Sequence, residues 1–174
     1  ARSLFLFRLV KLYSVLMKLC YNIKHNNNER QGLRMSIKKY VSLPEWQARC
    51  ELAALYRVIA HYKMTDLIDT HISLRIPDQY DHFLINQYGV AFDKMTASTL
   101  VKIDHEGQIV CSYEQNKPVN QAGFVIHSAI HHARPEIDCV IHTHTADGIA
   151  VSAQQHGLLP ISQHALKFYQ QLAY

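Results

Sequence analysis

A chain of 174 residues, 48% hydrophobic and 18% charged, can bury a core of ordinary size. It has neither the depleted hydrophobicity of a disordered segment nor the long apolar runs of a membrane protein. The formal net charge of +4 sits at one end: residues 1–34 hold seven of the eighteen Lys and Arg but one of the fourteen acids, leaving eleven bases against thirteen acids in residues 35–174. The body is thus slightly acidic, which removes the electrostatic case for nucleic-acid binding by the folded part, and one domain is the expected count.

In chain order, "ARSLFLFRLVKLYSVLMKLCYNIKH" comes first, apolar but broken by Arg2, Arg8, Lys11, Lys18 and Lys24. No uncharged stretch reaches the roughly 18–20 residues of a membrane span. With no acid before Glu29 the segment fits a presequence-like or membrane-surface helix. The linker-like "HNNNERQG" and Met35, a natural protein start, instead make residues 1–34 an extension outside the fold, which is the reading adopted, with membrane contact the alternative. Cys20, Cys50, Cys111 and Cys139 are widely spaced with no C-x-x-C pair, so a reducing, cytoplasmic setting is expected rather than a disulfide framework.

From Ser42 the pattern is helical. Ser42 and Glu45 fit a capping box, Pro44 suits a first turn, and Leu52, Leu55, Tyr56 and Ile59 fall at i, i+3, i+4 and i+7. Strand-like runs follow at 71–76 ("HISLRI"), 82–86 ("HFLIN") and 99–104 ("TLVKID"), and "HEG" before "QIVCSY" predicts a hairpin turn in an antiparallel sheet. "QAGFVIHSAIHHA" places Ala122, Ile126, Ala129 and Ala133 on one helical face until Pro135 stops it. "IDCVIHTH" then reads as a buried strand. A small-residue helix runs from Ala146 to about His156 and ends at Gly157, and Ser162 caps another.

The pair His142 and His144 is the chemical centre of this pattern. Alternate residues of a strand point to one face, about 6–7 Å apart along the backbone, and two imidazoles there can converge on one ion at about 2.0–2.1 Å each for zinc. On spacing alone, two partly solvated strand histidines bonded to nearby backbone are the plainer reading. His127 and His131, at i and i+4 of a helix, lack the intervening Glu of an H-E-x-x-H site and are read as packing residues. No P-loop, dinucleotide fingerprint or G-x-S-x-G elbow occurs, so nucleotide binding and serine nucleophiles have no motif to rest on.

The block "RPEIDCVIHTHTADGIAVSAQQHGLLPIS", with "GVAFDKMTASTLVKID" upstream, resembles the class II aldolase and adducin head-domain family: Arg-Pro, apolar strand, His-x-His and small-residue helix, in order and spacing. The resemblance covers about residues 40–174, and residues 35–174 are expected to be the N-terminal part of such a domain. It implies an α/β fold, a three-layer α/β/α sandwich around a largely antiparallel sheet, and assembly into homo-oligomers. It implies a divalent metal, zinc being the expected ion, held by His142, His144 and a third histidine that would lie beyond Tyr174. It also implies a small carbonyl or sugar-phosphate substrate, with Ser73 and Gly89 at substrate-contacting positions.

The departures from the family pattern are specific. The acid/base Glu of active aldolases falls on Gly123, which has no proton to transfer. His71 stands where the substrate-phosphate loop has Asn, and Phe92 where Tyr is usual. These changes match the adducin-like branch, whose heads are regarded as non-catalytic association modules. Two readings therefore stand: a metal-dependent carbon–carbon lyase, since both histidines of the His-x-His survive, and a non-catalytic oligomerisation and protein-interaction domain of the adducin type, towards which Gly123 points.

Overall fold

The computed structural model describes residues 37–111 and 117–172. Expectations for the 1–34 extension, for the start at Met35 and for the last two residues of "QIVCSY" fall outside these residues. Helix α1 spans Leu43–His61 behind a one-turn 3-10 helix at Ile37–Lys39. Ser42 Oγ accepts from Glu45 N at 3.3 Å, as a cap should. The Glu45 carboxylate is drawn into the interior, where Arg49 Nη2 (2.9 Å) and Lys102 Nζ (3.0 Å) neutralise it. Arg49 Nη1 then donates to Leu100 O at 3.0 Å, fastening α1 to the strand that follows.

Among the described residues four strands form one antiparallel sheet in the order β3-β2-β1-β4: β1 His71–Ile76, β2 Gln79–Ile85, β3 Val101–Ile103 and β4 Cys139–His142. The expected hairpin after β3 forms around Gly107, whose φ of +81° suits glycine. Among the described residues its return arm meets β3 through the bridge Ile103 to Ile109, with Val110 N donating to Lys102 O at 3.0 Å. Helix α2 is Gln121–Ala133, capped by Asn120, and the short α3 (Ala146–Ser152) and α4 (Gln163–Leu166) follow β4. Helix α3 stops four residues short of the expected His156. No helix among the described residues is long and apolar enough to cross a membrane.

Alternation along the strands builds the layers. Ile72, Leu74 and Ile76 of β1, Leu84 of β2 and Cys139 of β4 pack with Leu52, Tyr56 and Ile59 of α1. On the opposite face Phe83, Ile85, Val101 and Ile103 pack with Phe124 of α2. The result is helix, sheet, helix, the α/β/α arrangement implied by the family resemblance. One expectation is corrected here. The buried face of α2 is Gly123, Phe124, His127 and His131, while Val125 is 62% and Ile126 37% exposed. The helix turns its histidines inward because the strand face beneath it is polar.

Tyr56 ties α1 to the sheet. Its buried hydroxyl accepts from Ile72 N and Asn86 N, each at 3.0 Å, and its one proton can go to Ile72 O or to Asn86 Oδ1. Tyr56→Phe keeps the edge contact with Phe92, at 4.5 Å between centroids, but strips two buried amides of a partner. Chemical denaturation should register a loss of about 2–4 kcal/mol; a loss well under 1 kcal/mol would mean these amides find other acceptors.

Candidate metal centre and buried histidine chain

The odd residues of β1, His71, Ser73 and Arg75, form a polar row on the face covered by α2, and all three are buried. The β1–β4 register places His71 opposite His142, so those two rings lie side by side on that face, 4.6 Å between centroids. Helix α2 lowers His127 and His131, one turn apart, onto the same row. His144 lies just beyond the end of β4, in the connection leading to the Thr145 cap of α3. The expectation of two histidines on one strand face thus holds for His142 only. The chain bend nevertheless brings the two rings together, 4.7 Å between centroids.

Hydrogen-bond distances join these residues end to end. Asp66 Oδ2 lies 2.9 Å from His144 Nδ1, and His144 Nε2 is 3.1 Å from His142 Nε2. His142 Nδ1 is 3.0 Å from His71 Nε2, and His71 Nδ1 is 2.8 Å from His127 Nε2. Ser73 Oγ sits 2.7 Å from both His127 Nδ1 and His131 Nε2, and His131 Nδ1 reaches Ile137 O at 3.2 Å. Arg75 braces the inner end, donating from Nη2 to His131 O at 2.7 Å and from Nη1 to Tyr80 O.

The geometry bears on each residue singled out from sequence. His142 and His144 meet through their Nε2 atoms, and their separation is close to the roughly 3.3 Å between two nitrogens of a tetrahedral zinc with bonds of about 2.0–2.1 Å. Two imidazoles whose Nδ1 atoms are engaged elsewhere suit a borderline-soft divalent cation, so the residues present fit such an ion. Among the described residues no group of three or more His, Cys, Asp or Glu is arranged to hold one. Ser73 is wholly buried between two histidines, so its hydroxyl has no surface to offer a substrate. Gly89 occupies a turn at φ +81° with nothing within 4 Å of where a Cβ would be.

Gly123 is different: a Cβ there would lie 2.5 Å from His71 Cδ2 and 2.7 Å from His71 Nε2. The imidazole of His71 fills the space into which a side chain at 123 would begin. The two departures from the aldolase pattern are therefore one packing solution. Sequence spacing alone does not mark His71, His127 and His131 as site residues; the signal it holds for them is the i, i+4 pair on α2 set against the polar alternation of β1.

Burial sets the charge state of the chain. Desolvation, followed by the neighbouring His142 and His144, pushes His71 down to about 4. Desolvation and the Arg75 guanidinium push His131 down to about 4, and His127, deeper still, is held well below the ordinary value. These rings stay neutral in the fold while the unfolded chain takes up protons below about 6.5, so stability rises with pH across this window. Metal-free protein should lose roughly 1 kcal/mol per pH unit per neutral histidine between pH 6.5 and 5, above the ordinary carboxylate range. Urea midpoints measured at half-unit steps check this; a flat profile would place the histidines in solvent.

Residues 50–174 match the Class II Aldolase and Adducin N-terminal domain. A Caulobacter vibrioides protein named for the class 2 aldolases is 52% identical over 140 residues, covering 80% of this chain and 54% of that one. Rat alpha-adducin is 48% identical over 118 residues, 68% of this chain and 16% of that protein. Among solved structures, an aldolase II superfamily protein from Pseudomonas syringae superposes with a TM-score of 0.74 at 53% identity, over 78% of this chain and 54% of that one. The L-fuculose 1-phosphate aldolase of Glaciozyma antarctica gives 0.68 at 30% identity, over 81% and 55%. The chain spans about half the length of the bacterial relatives it matches. It belongs to the class II aldolase and adducin N-terminal domain family.

Proposed function

We propose that the full-length protein holds one divalent cation, zinc being the expected ion, between Nε2 of His142 and Nε2 of His144. On this reading it acts as a metal-dependent lyase of aldolase type on a small carbonyl or sugar-phosphate-like substrate. The observation that carries the cation site is the 3.1 Å approach of the two Nε2 atoms while both Nδ1 atoms are engaged. The ion supplies Lewis-acid stabilisation of the oxyanion charge that develops as a carbon–carbon bond breaks. The protein's part is to orient the ligands: Asp66 holds His144, and His71 holds His142. A third ligand is expected beyond Tyr174, by resemblance. The sugar-phosphate class is supported by the likeness to the Glaciozyma antarctica enzyme.

A second reading, a non-catalytic adducin-like association domain, is favoured by Gly123, which leaves no carboxylate at the acid/base position. Homo-oligomerisation is part of both readings. It is supported by the apolar side chains left exposed on α2 and after β4, Val125, Ile149, Ile161 and Leu166 among them.

Elemental analysis after dialysis tests the site first: one ion per chain in wild type and none in His142→Ala/His144→Ala is expected, and equal contents would overturn the assignment. Release of dihydroxyacetone phosphate or glycolaldehyde from a panel of ketose phosphates then separates the two readings. Zinc-dependent turnover that the double variant loses supports the lyase. Bound ion with no turnover on any substrate supports the association domain.

The packing at Gly123 adds a prediction about restoring the carboxylate. Gly123→Glu alone should not raise sugar-phosphate cleavage, because it displaces His71. The paired His71→Asn/Gly123→Glu protein should raise it, by up to the 10²–10⁴-fold worth of a general acid–base group, about the full range if the carboxylate reaches the substrate. A rise in the single variant equal to that in the pair would contradict the coupling.

A further inference from the structure

A neutral imidazole has one N–H donor and one lone-pair acceptor, so in a chain of imidazoles the assignment at one end fixes every member. The inner end here is the carbonyl of Ile137, which can only accept, 3.2 Å from His131 Nδ1. Arg75 Nη2, which carries two hydrogens, also approaches that nitrogen, but at 3.4 Å, with its short bond going to His131 O at 2.7 Å, so the 3.2 Å contact with the Ile137 carbonyl is the closer claim on Nδ1. His131 therefore carries its proton on Nδ1 and accepts at Nε2 from the Ser73 hydroxyl. Ser73 Oγ in turn accepts from His127 Nδ1, His127 Nε2 from His71 Nδ1, and His71 Nε2 from His142 Nδ1. This leaves His142 Nε2 bearing its lone pair.

The outer end runs into this assignment at the contact between His142 and His144. Asp66 Oδ2 accepts from His144 Nδ1, leaving a lone pair on His144 Nε2. Two lone pairs then face each other at 3.1 Å, an arrangement that a cation between them relieves.

We propose that His71, His127, Ser73 and His131 are a positioning relay that transmits the acceptor character of the Ile137 carbonyl to His142, fixing it as the Nδ1–H tautomer and turning its Nε2 lone pair toward His144 before any cation arrives. The assignment of Nε2 as the ligand atom rests on the cation site proposed above; the tautomers themselves do not. Gly123 is the accessory that admits the relay, since any Cβ there would strike the His71 ring. The relay residues touch neither substrate nor ion; they act through His142.

The experiment is long-range 1H–15N correlation NMR on the full-length protein labelled with [15N]histidine, recorded metal-free and with zinc added, together with zinc affinity by competition with a chelating dye. Nδ1–H is expected at His71, His127, His131 and His142 in both states. Ser73→Ala cuts the relay between His127 and His131. It should mix the tautomers of His127, His71 and His142 and weaken zinc binding by about 10–100-fold, the usual effect of losing an outer partner of a metal-ligating histidine. Ser73→Thr, which keeps the hydroxyl, should restore both. If Ser73→Ala does not fold, the wild-type spectra decide alone. Nε2–H at His142 in metal-free protein overturns the relay, as does a folded Ser73→Ala protein with wild-type tautomers and affinity. Four Nδ1–H histidines in a protein that takes up no zinc support the relay and overturn the cation reading instead.

Discussion

Everything at this site depends on β1 having both faces buried. Its even residues, Ile72, Leu74 and Ile76, meet the apolar side of α1. Its odd residues, His71, Ser73 and Arg75, must find hydrogen bonds without water, because an unpaired buried polar group costs about 1–3 kcal/mol. Helix α2 answers that demand with His127 and His131, spaced by one turn so that each reaches the same serine hydroxyl. The apolar residues of α2 are turned outward as a consequence. The register of β1 with β4 then carries the polar row sideways to His142, at the border between interior and surface.

This arrangement changes how the family's chemistry is read in this chain. The ligand pair alone suggests an aldolase, and the missing carboxylate alone suggests a retired one. The packing of His71 against Gly123 shows that the two departures are coupled: an imidazole at 71 and a side chain at 123 compete for one volume. In this chain His71 takes the volume that a side chain at 123 would need and stands as a neutral, hydrogen-bonded support behind His142.

Much of the fold was legible because it is written in local signals. Ser42, Pro44 and the apolar spacing from Leu52 to Ile59 located α1, "HISLRI" coincides with β1, and Gly107 marked the hairpin. Helix α3 ends before the expected His156 because the residues after Ser152 have no buried face to hold them in a helix. The face of α2 was misjudged for a deeper reason. Apolar periodicity finds the buried side of a helix only when its partner surface is apolar, and here the partner is a row of polar side chains 50 to 60 residues earlier. The same non-locality hid the relay. Alternating polar residues in a strand ordinarily mean a solvated face, and only the second helix layer makes that face interior. His142 was placed correctly by strand alternation, whereas His144 reaches the site through a bend after β4 that spacing could not foresee.

The proposed cation site lies between the facing Nε2 atoms of His142 and His144, prepared from behind by neutral histidines. Anomalous diffraction at the zinc edge, on crystals of the full-length protein grown with zinc, tests it most directly. One strong peak is expected within bonding distance of both Nε2 atoms, with His142 Nδ1 still against His71 and the His127–Ser73–His131 contacts intact. A peak on His71 or His127, a His142 ring turned so that Nδ1 meets the ion, or no peak at this pair would contradict it.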